Sequence, residues 1–86
     1  MSSLDDGGVK FVAFPQDHEP RHVHGFVGGI GGPEVIVDLK PGGTVGLARR
    51  NDAVQGANRS DVRKVLAAAA RRFADLVNLW DAMHID

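Results

Sequence analysis

The fold is decided by residues 61–83, which read DVRKVLAAAARRFADLVNLWDAM. The alanines at 67–70 have the highest helix propensity of any residue, and Asn58 or Ser60 is suited to cap the helix start. This stretch predicts one long C-terminal helix of about 25 residues and about 37 Å. Its apolar side chains recur at steps of three and four residues, as on one face of a helix; they are Val62, Leu66, Ala69, Phe73, Leu76, Trp80 and Met83.

Upstream of the helix, β-branched and aromatic runs alternate with glycine- and proline-rich turns. The runs predict strands at residues 9–14, 22–27, 34–39 and 44–48. Strands joined by tight turns pair antiparallel. The predicted fold class is therefore α+β, an antiparallel meander of about four strands packed against one long C-terminal α-helix. Residues 1–8 are polar and acidic, and we expect them to be a flexible N-terminal lead-in to a single domain over residues 9–86.

Composition limits the classes of protein that the chain can belong to. It has 86 residues, 43% of them hydrophobic, which suits one globular domain rather than a disordered segment. The absence of cysteine excludes disulfides and thiolate metal sites. No apolar run approaches the roughly 20 residues that span a bilayer. We therefore expect a cytoplasmic protein with no membrane contact.

Basic side chains are concentrated in residues 49–72. This segment holds seven of the 10 lysines and arginines and is opposed there only by Asp52 and Asp61. Such a segment favours contact with nucleic acid or with an acidic partner. It lacks the interleaved aromatic residues of single-strand binders, so an ordinary solvated helix face is the competing explanation. The candidate contact residues are Arg49, Arg50, Arg63 and Arg71.

Acids and histidines cluster at residues 17–24, which read DHEPRHVH. Side chains alternate along a strand, so His22 and His24 should point to the same face of the sheet. The turn around Pro20 can fold His18 back toward them. Three imidazoles within one short segment are a plausible ligand set for zinc or another divalent metal. The predicted metal ligands are His18, His22 and His24.

The same cluster also permits catalysis without a metal. His22 and His24 would then act as acid and base, and Asp17 would orient one of the rings, in a hydrolase or nuclease. This hypothesis requires both imidazoles to be solvent-accessible and to converge with His18 or Asp17. A hydrogen-bonded network with no chemistry is the third interpretation of the cluster.

The stretch at residues 17–24 resembles the Asp-His-x-Pro-Pro-His-x-His signature of a family of small bacterial proteins, domain-of-unknown-function family 4160. The spacing of Leu76 and Trp80 is similar to the Leu-x₃-Trp pattern in that family's terminal helix. Arg21 stands where the family has its second proline. The family's helix histidine has no counterpart in residues 67–72, so no role is carried over from it.

The resemblance implies that the chain binds a second protein, and it does not imply that the chain catalyses a reaction. Members of that family are often encoded beside a second small protein, in pairs that look like toxin–antitoxin modules. The expected function is thus one half of such a two-protein system, and it does not require an enzyme. The alternatives are a His- or metal-dependent hydrolase and a nucleic-acid-binding domain, and a homodimer is a further option for the assembly.

Overall fold

The computed structural model describes residues 2–84. Strands β1 to β5 lie in the sheet in chain order, each antiparallel to the next, and β6 pairs with β4. The predicted α+β class and antiparallel meander are confirmed, but the numbers of strands and helices are wrong. The elements are β1 (Ser2–Asp6), β2 (Val9–Ala13), β3 (His22–Val27), β4 (Glu34–Lys40), β5 (Thr44–Leu47), β6 (Val54–Gln55), α1 (Arg59–Arg71) and α2 (Phe73–Met83).

Strand β1 replaces most of the predicted flexible lead-in. Gly7 and Gly8 have φ angles of 57° and 84°, as a two-residue hairpin turn of type I′ requires. Their turn pairs Asp6 with Val9 and continues the ladder to Ser2. A strand at the sheet edge needs few apolar side chains, and of this one Leu4 packs on the core. The polar composition of residues 2–6 therefore hid a strand.

The C-terminal helix is broken at Arg72, which has φ −110° and ψ 26°. A straight helix of the predicted length would match the longest dimension of the whole molecule, 36 Å. The break instead lets α1 lie over β3, β4 and β5 while α2 crosses to β1 and β2. The Arg72 side chain ties the junction, because it donates to Asp75 at 2.9 Å and lies 3.6 Å from Asp6.

The two faces of the sheet have different roles. The helices cover the face that carries Phe11, Val23 and Val35, which form the main core with Val65 and Leu76. Gly25 lies on this face, where an added Cβ would stand 2.7 Å from Cγ1 of Val65. Its missing side chain allows α1 to approach the sheet closely.

The opposite face carries the residues that alternate with this core. His24 pairs directly with Ile36, and His22 pairs with Asp38. Ile36 forms a small second core with Ala48 and Ala53 from the β5–β6 loop. Both histidines of β3 therefore face away from α1, toward that loop. No helix within residues 2–84 is long and apolar enough to cross a bilayer.

Candidate metal centre

The side chains of Asp17, His22 and His24 converge at one end of β3. Asp17 Oδ2 lies 3.1 Å from Nε2 of His24 and 3.4 Å from Nε2 of His22. One potential ligand atom from each residue lies within 4.8 Å of the other two, so the group could hold a metal ion. The two imidazole centroids are 5.7 Å apart, which confirms that both rings point to the same face.

The ligand set differs by one residue from the predicted set of His18, His22 and His24. Asp17 takes the place of His18, whose side chain is exposed. The Asp17 N–H donates to the carbonyl of Phe14 at 3.2 Å. This turn directs the Asp17 carboxylate inward, toward the strand, while the next residue faces solvent.

Hydrogen bonds fix the proton on Nδ1 of His22, and they place the ring of His24 between two carboxylates, those of Glu34 and Asp17. His22 Nδ1–H donates to the carbonyl of Pro20 at 2.8 Å, because a carbonyl oxygen can only accept. His24 Nδ1–H donates to the Glu34 carboxylate at 2.6 Å. In a neutral imidazole the other nitrogen, Nε2, then holds the lone pair. A hydrogen bond from the nitrogen that does not face the metal orients histidines that ligate metals.

The cluster is consequently rich in lone pairs. Two Nε2 atoms face the same carboxylate oxygen of Asp17, and either protons or a cation must neutralise the contact. His22 is 7% exposed, and its Nε2 is buried with no hydrogen-bond partner among the described residues. A buried nitrogen left unpaired costs free energy unless something binds it.

The two histidines differ in their surroundings and are both largely buried. The His22 ring packs against Trp80 of α2, with centroids 5.0 Å apart. His24 has a side-chain exposure of 12% and contacts the Phe14 ring edge-on at 4.9 Å. These rings converge as acid–base catalysis requires, but His22 lacks the solvent access of a free proton shuttle. Asp17, His22 and His24 together form a group that could hold a metal ion.

His84 holds the loop that carries Asp17. Its Nδ1–H donates to the carbonyl of Trp80 and its Nε2–H to the carbonyl of Asp17, both at 2.8 Å. Both nitrogens face carbonyl oxygens, which only accept, so the geometry suits an imidazolium, and these backbone bonds raise the pKa of His84. The His84 ring stacks on the indole ring of Trp80, with the two ring centroids 3.7 Å apart. A cation–π contact has this geometry. No pattern in the sequence predicts that residue 84 lies beside residue 17.

An open cleft of about 600 Å³ adjoins the cluster. Asp17 and His22 reach it from the cluster, and Asp38 joins them from β4. The lining is completed by Gln16, His18, Glu19, Pro20, Ala48, Arg49 and Arg50. A ligand bound in this cleft would therefore contact both the metal-ligand group and the basic β5–β6 loop.

The candidate contact residues of the basic segment are divided between the two faces of the sheet. Arg49 and Arg50 line the cleft, whereas Arg63 and Arg71 belong to α1 on the opposite face. Arg71 donates to Asp6 at 2.9 Å. A single continuous surface does not form from these four side chains.

Three participants were missed at the sequence level, namely Glu34, Asp38 and Asp52. The hairpin register carries a signal for two of them, since Glu34 and Asp38 pair with Phe26 and His22 on the histidine face.

No protein-family model, curated protein or solved structure matches the chain. The resemblance to family 4160 therefore stays a prediction from the motif alone.

Proposed function

We propose that the chain is a small hydrolase that depends on one divalent transition-metal ion bound by Asp17, His22 and His24. The observation that carries the proposal is the convergence of three potential ligand atoms, one of them the buried Nε2 of His22, which makes no hydrogen bond among the described residues. The Nδ1 bonds to Pro20 and Glu34 support it further, because they orient the two rings with both Nε2 atoms beside Asp17 Oδ2.

The number of ligands favours a catalytic metal over a structural one. Structural zinc sites are usually closed by four protein ligands, whereas catalytic sites use three and keep a position for water or substrate. Here two imidazoles and one carboxylate form the group, and the cleft opens beside it. This donor set suits zinc and other first-row divalent metals.

A metal at this position would supply a nucleophilic water for hydrolysis. Asp38 is the residue placed to take up a proton, since it lines the cleft directly across from His22. It lies outside the ligand group, and its side chain makes no hydrogen bond or ion pair within residues 2–84. In this scheme the histidines ligate the metal, and the acid–base role passes from them to a carboxylate.

Metal binding is tested by thermal unfolding with and without zinc, cobalt, nickel or manganese. Metal at about one hundred times its Kd stabilises by about 2.7 kcal/mol, which raises Tm by about 10 °C or more in a domain of this size. Asp17→Asn should abolish the rise. His18→Gln is the matched control and should keep it. No shift with any of the four metals would overturn the proposal.

Partner binding in a two-protein system remains a separate prediction, based on the resemblance to family 4160. It concerns surfaces outside the cleft, such as the exposed edges of β1 and β5. Co-expression with the adjacent gene product tests it, and recovery of the chain alone would count against it. The two functions are compatible, because a metal site at β3 leaves both edges free.

A further inference from the structure

The β5–β6 loop is anchored at both ends to one residue beside the metal-ligand group. The Ala48 N–H donates to the Ile36 carbonyl at 3.0 Å, and the Ile36 N–H donates to the Ala53 carbonyl at 2.7 Å. Ile36 is the cross-strand partner of His24. Ala48 and Ala53 are also buried against it. The loop that carries Arg49 and Arg50 is thus held in fixed register with the site.

Arg50 is oriented within this loop by Asp52. Its Nε donates to Asp52 Oδ1, and its Nη2 donates to Oδ2 at 2.8 Å. A guanidinium has five N–H donors, so this fork leaves three, on Nη1 and Nη2. Arg50 lines the cleft, where those donors are available to a ligand. Arg49 lines the same wall and is exposed.

Arg50 lines the same cleft as Asp17 and His22. The hydrogen bond to Asp52 raises the pKa of Arg50, and the charges of Asp17 and Glu34 add to the rise. The positive charge of Arg50 therefore interacts electrostatically with the carboxylates at the metal-ligand group. An anionic ligand bridging the metal and Arg50 would be attracted by both positive charges.

We propose that Arg50, positioned by Asp52 and assisted by Arg49, binds the phosphoryl group of a phosphate-ester substrate beside the metal. This rests on the proposed function, since the metal supplies part of the positive charge. Guanidinium forks match phosphate oxygens bidentately. Two guanidiniums and a dication also suit a tetrahedral phosphate, which bears up to two charges, better than a carboxylate.

The experiment is calorimetric titration of inorganic phosphate into protein preloaded with one equivalent of cobalt(II). Wild type should bind phosphate and should bind acetate at least tenfold more weakly. Arg50→Gln should weaken phosphate binding about tenfold to hundredfold, the range for lost charge-assisted hydrogen bonds, with cobalt affinity unchanged. Arg59→Gln makes the same chemical change on α1, on the other face of the sheet, and should have no effect.

The two proposals fail in different ways. A protein that binds no cobalt overturns both of them. A protein that binds cobalt but shows equal phosphate affinity in wild type and Arg50→Gln overturns the phosphate site alone. If Arg50→Gln does not fold, Arg50→Lys keeps the charge and removes the fork, and it too should weaken phosphate binding. Unchanged affinity in that variant would equally overturn the phosphate site.

Discussion

At the scale of single residues, His84 shows how a terminal side chain fixes a site far away in sequence. Its imidazolium donates to the carbonyls of Trp80 and Asp17, so one ring connects the end of α2 to the β2–β3 loop. The position of the Asp17 carboxylate therefore depends on a residue outside the ligand group. Loss of the His84 bonds should loosen that loop without removing a ligand.

We expect His84→Phe to lower the stability of the metal-free protein in a pH-dependent way. Phenylalanine keeps the stacking on Trp80 and loses both donors. The folded state raises the pKa of His84. Its extra stability is therefore fully present below the ordinary imidazole value near 6.5 and is lost as pH rises through the higher folded value.

Thermal melts of both proteins in chelator, from pH 5 to pH 9, measure this effect. The Tm difference between wild type and His84→Phe should be largest at the acid end and should narrow as pH rises. Other titrating groups are common to the two proteins and cancel in the difference. A difference that stays constant over the whole range would contradict the assigned imidazolium.

At the scale of elements, the strands predictable from sequence were those with β-branched runs between glycine turns, such as residues 34–39. Edge strand β1 was missed because its composition is polar, and β6 because two residues carry no periodicity. The break at Arg72 has no local signal, since the apolar stripe continues through it without glycine or proline. It follows from the fit of the helices to the twisted sheet.

The candidate site, like the fold, was predictable from the sequence only where it depends on local properties of the chain. Strand alternation predicted that His22 and His24 share a face, because that property is local. The choice of Asp17 over His18 depends on a turn at Phe14, and the contribution of Glu34 depends on hairpin register. The position of His84 beside Asp17 depends on the course of α2. These contacts are long-range, so periodicity could not supply them.

The contact between α1 and β3 gives a prediction at this scale. In Gly25→Ala the new Cβ would lie 2.7 Å from Val65 Cγ1 and 3.2 Å from Phe11 Cε1, both inside the packed core. Overpacking of this kind costs roughly 1–3 kcal/mol. We expect a lower free energy of unfolding in urea, with little change in the slope of the transition.

A double-mutant cycle isolates this contact. Val65→Ala alone leaves a cavity and is destabilising, but it also removes the Cγ1 that the new methyl group would meet. The double variant with Gly25→Ala should therefore be less destabilised than the sum of the single changes. Simple additivity would show that α1 does not rest on Gly25.

At the scale of the whole molecule, the proposed metal site should oppose stability. His22 Nε2 is buried and makes no hydrogen bond among the described residues, with Asp17 Oδ2 3.4 Å away, and an unsatisfied buried group costs about 1–3 kcal/mol. His22→Leu removes this nitrogen together with the Nδ1–H bond to Pro20, which contributes about 1 kcal/mol, and it keeps an apolar side chain against Trp80. We expect this variant to be about as stable as wild type without metal, while losing the metal-dependent rise in Tm.

Melting curves with chelator and with zinc separate these two effects. His24→Leu is the matched comparison. Its ring nitrogens both have partners, in Glu34 and Asp17, so this change should destabilise the metal-free protein. Equal loss of stability in the two leucine variants would mean that His22 Nε2 finds a partner in solution.

Successive side chains of β3 lie on opposite faces of the sheet, and this alternation affects how the sequence can change in evolution. Positions 23 and 25 lie on the face that packs against the main core, and positions 22, 24 and 26 lie on the opposite face of the sheet, so odd and even positions are under separate demands. Ligand chemistry can therefore be retuned at even positions while the odd ones keep the packing intact. A one-residue insertion in β3 would exchange the two sets at once, and this segment should tolerate substitution far better than any change of length.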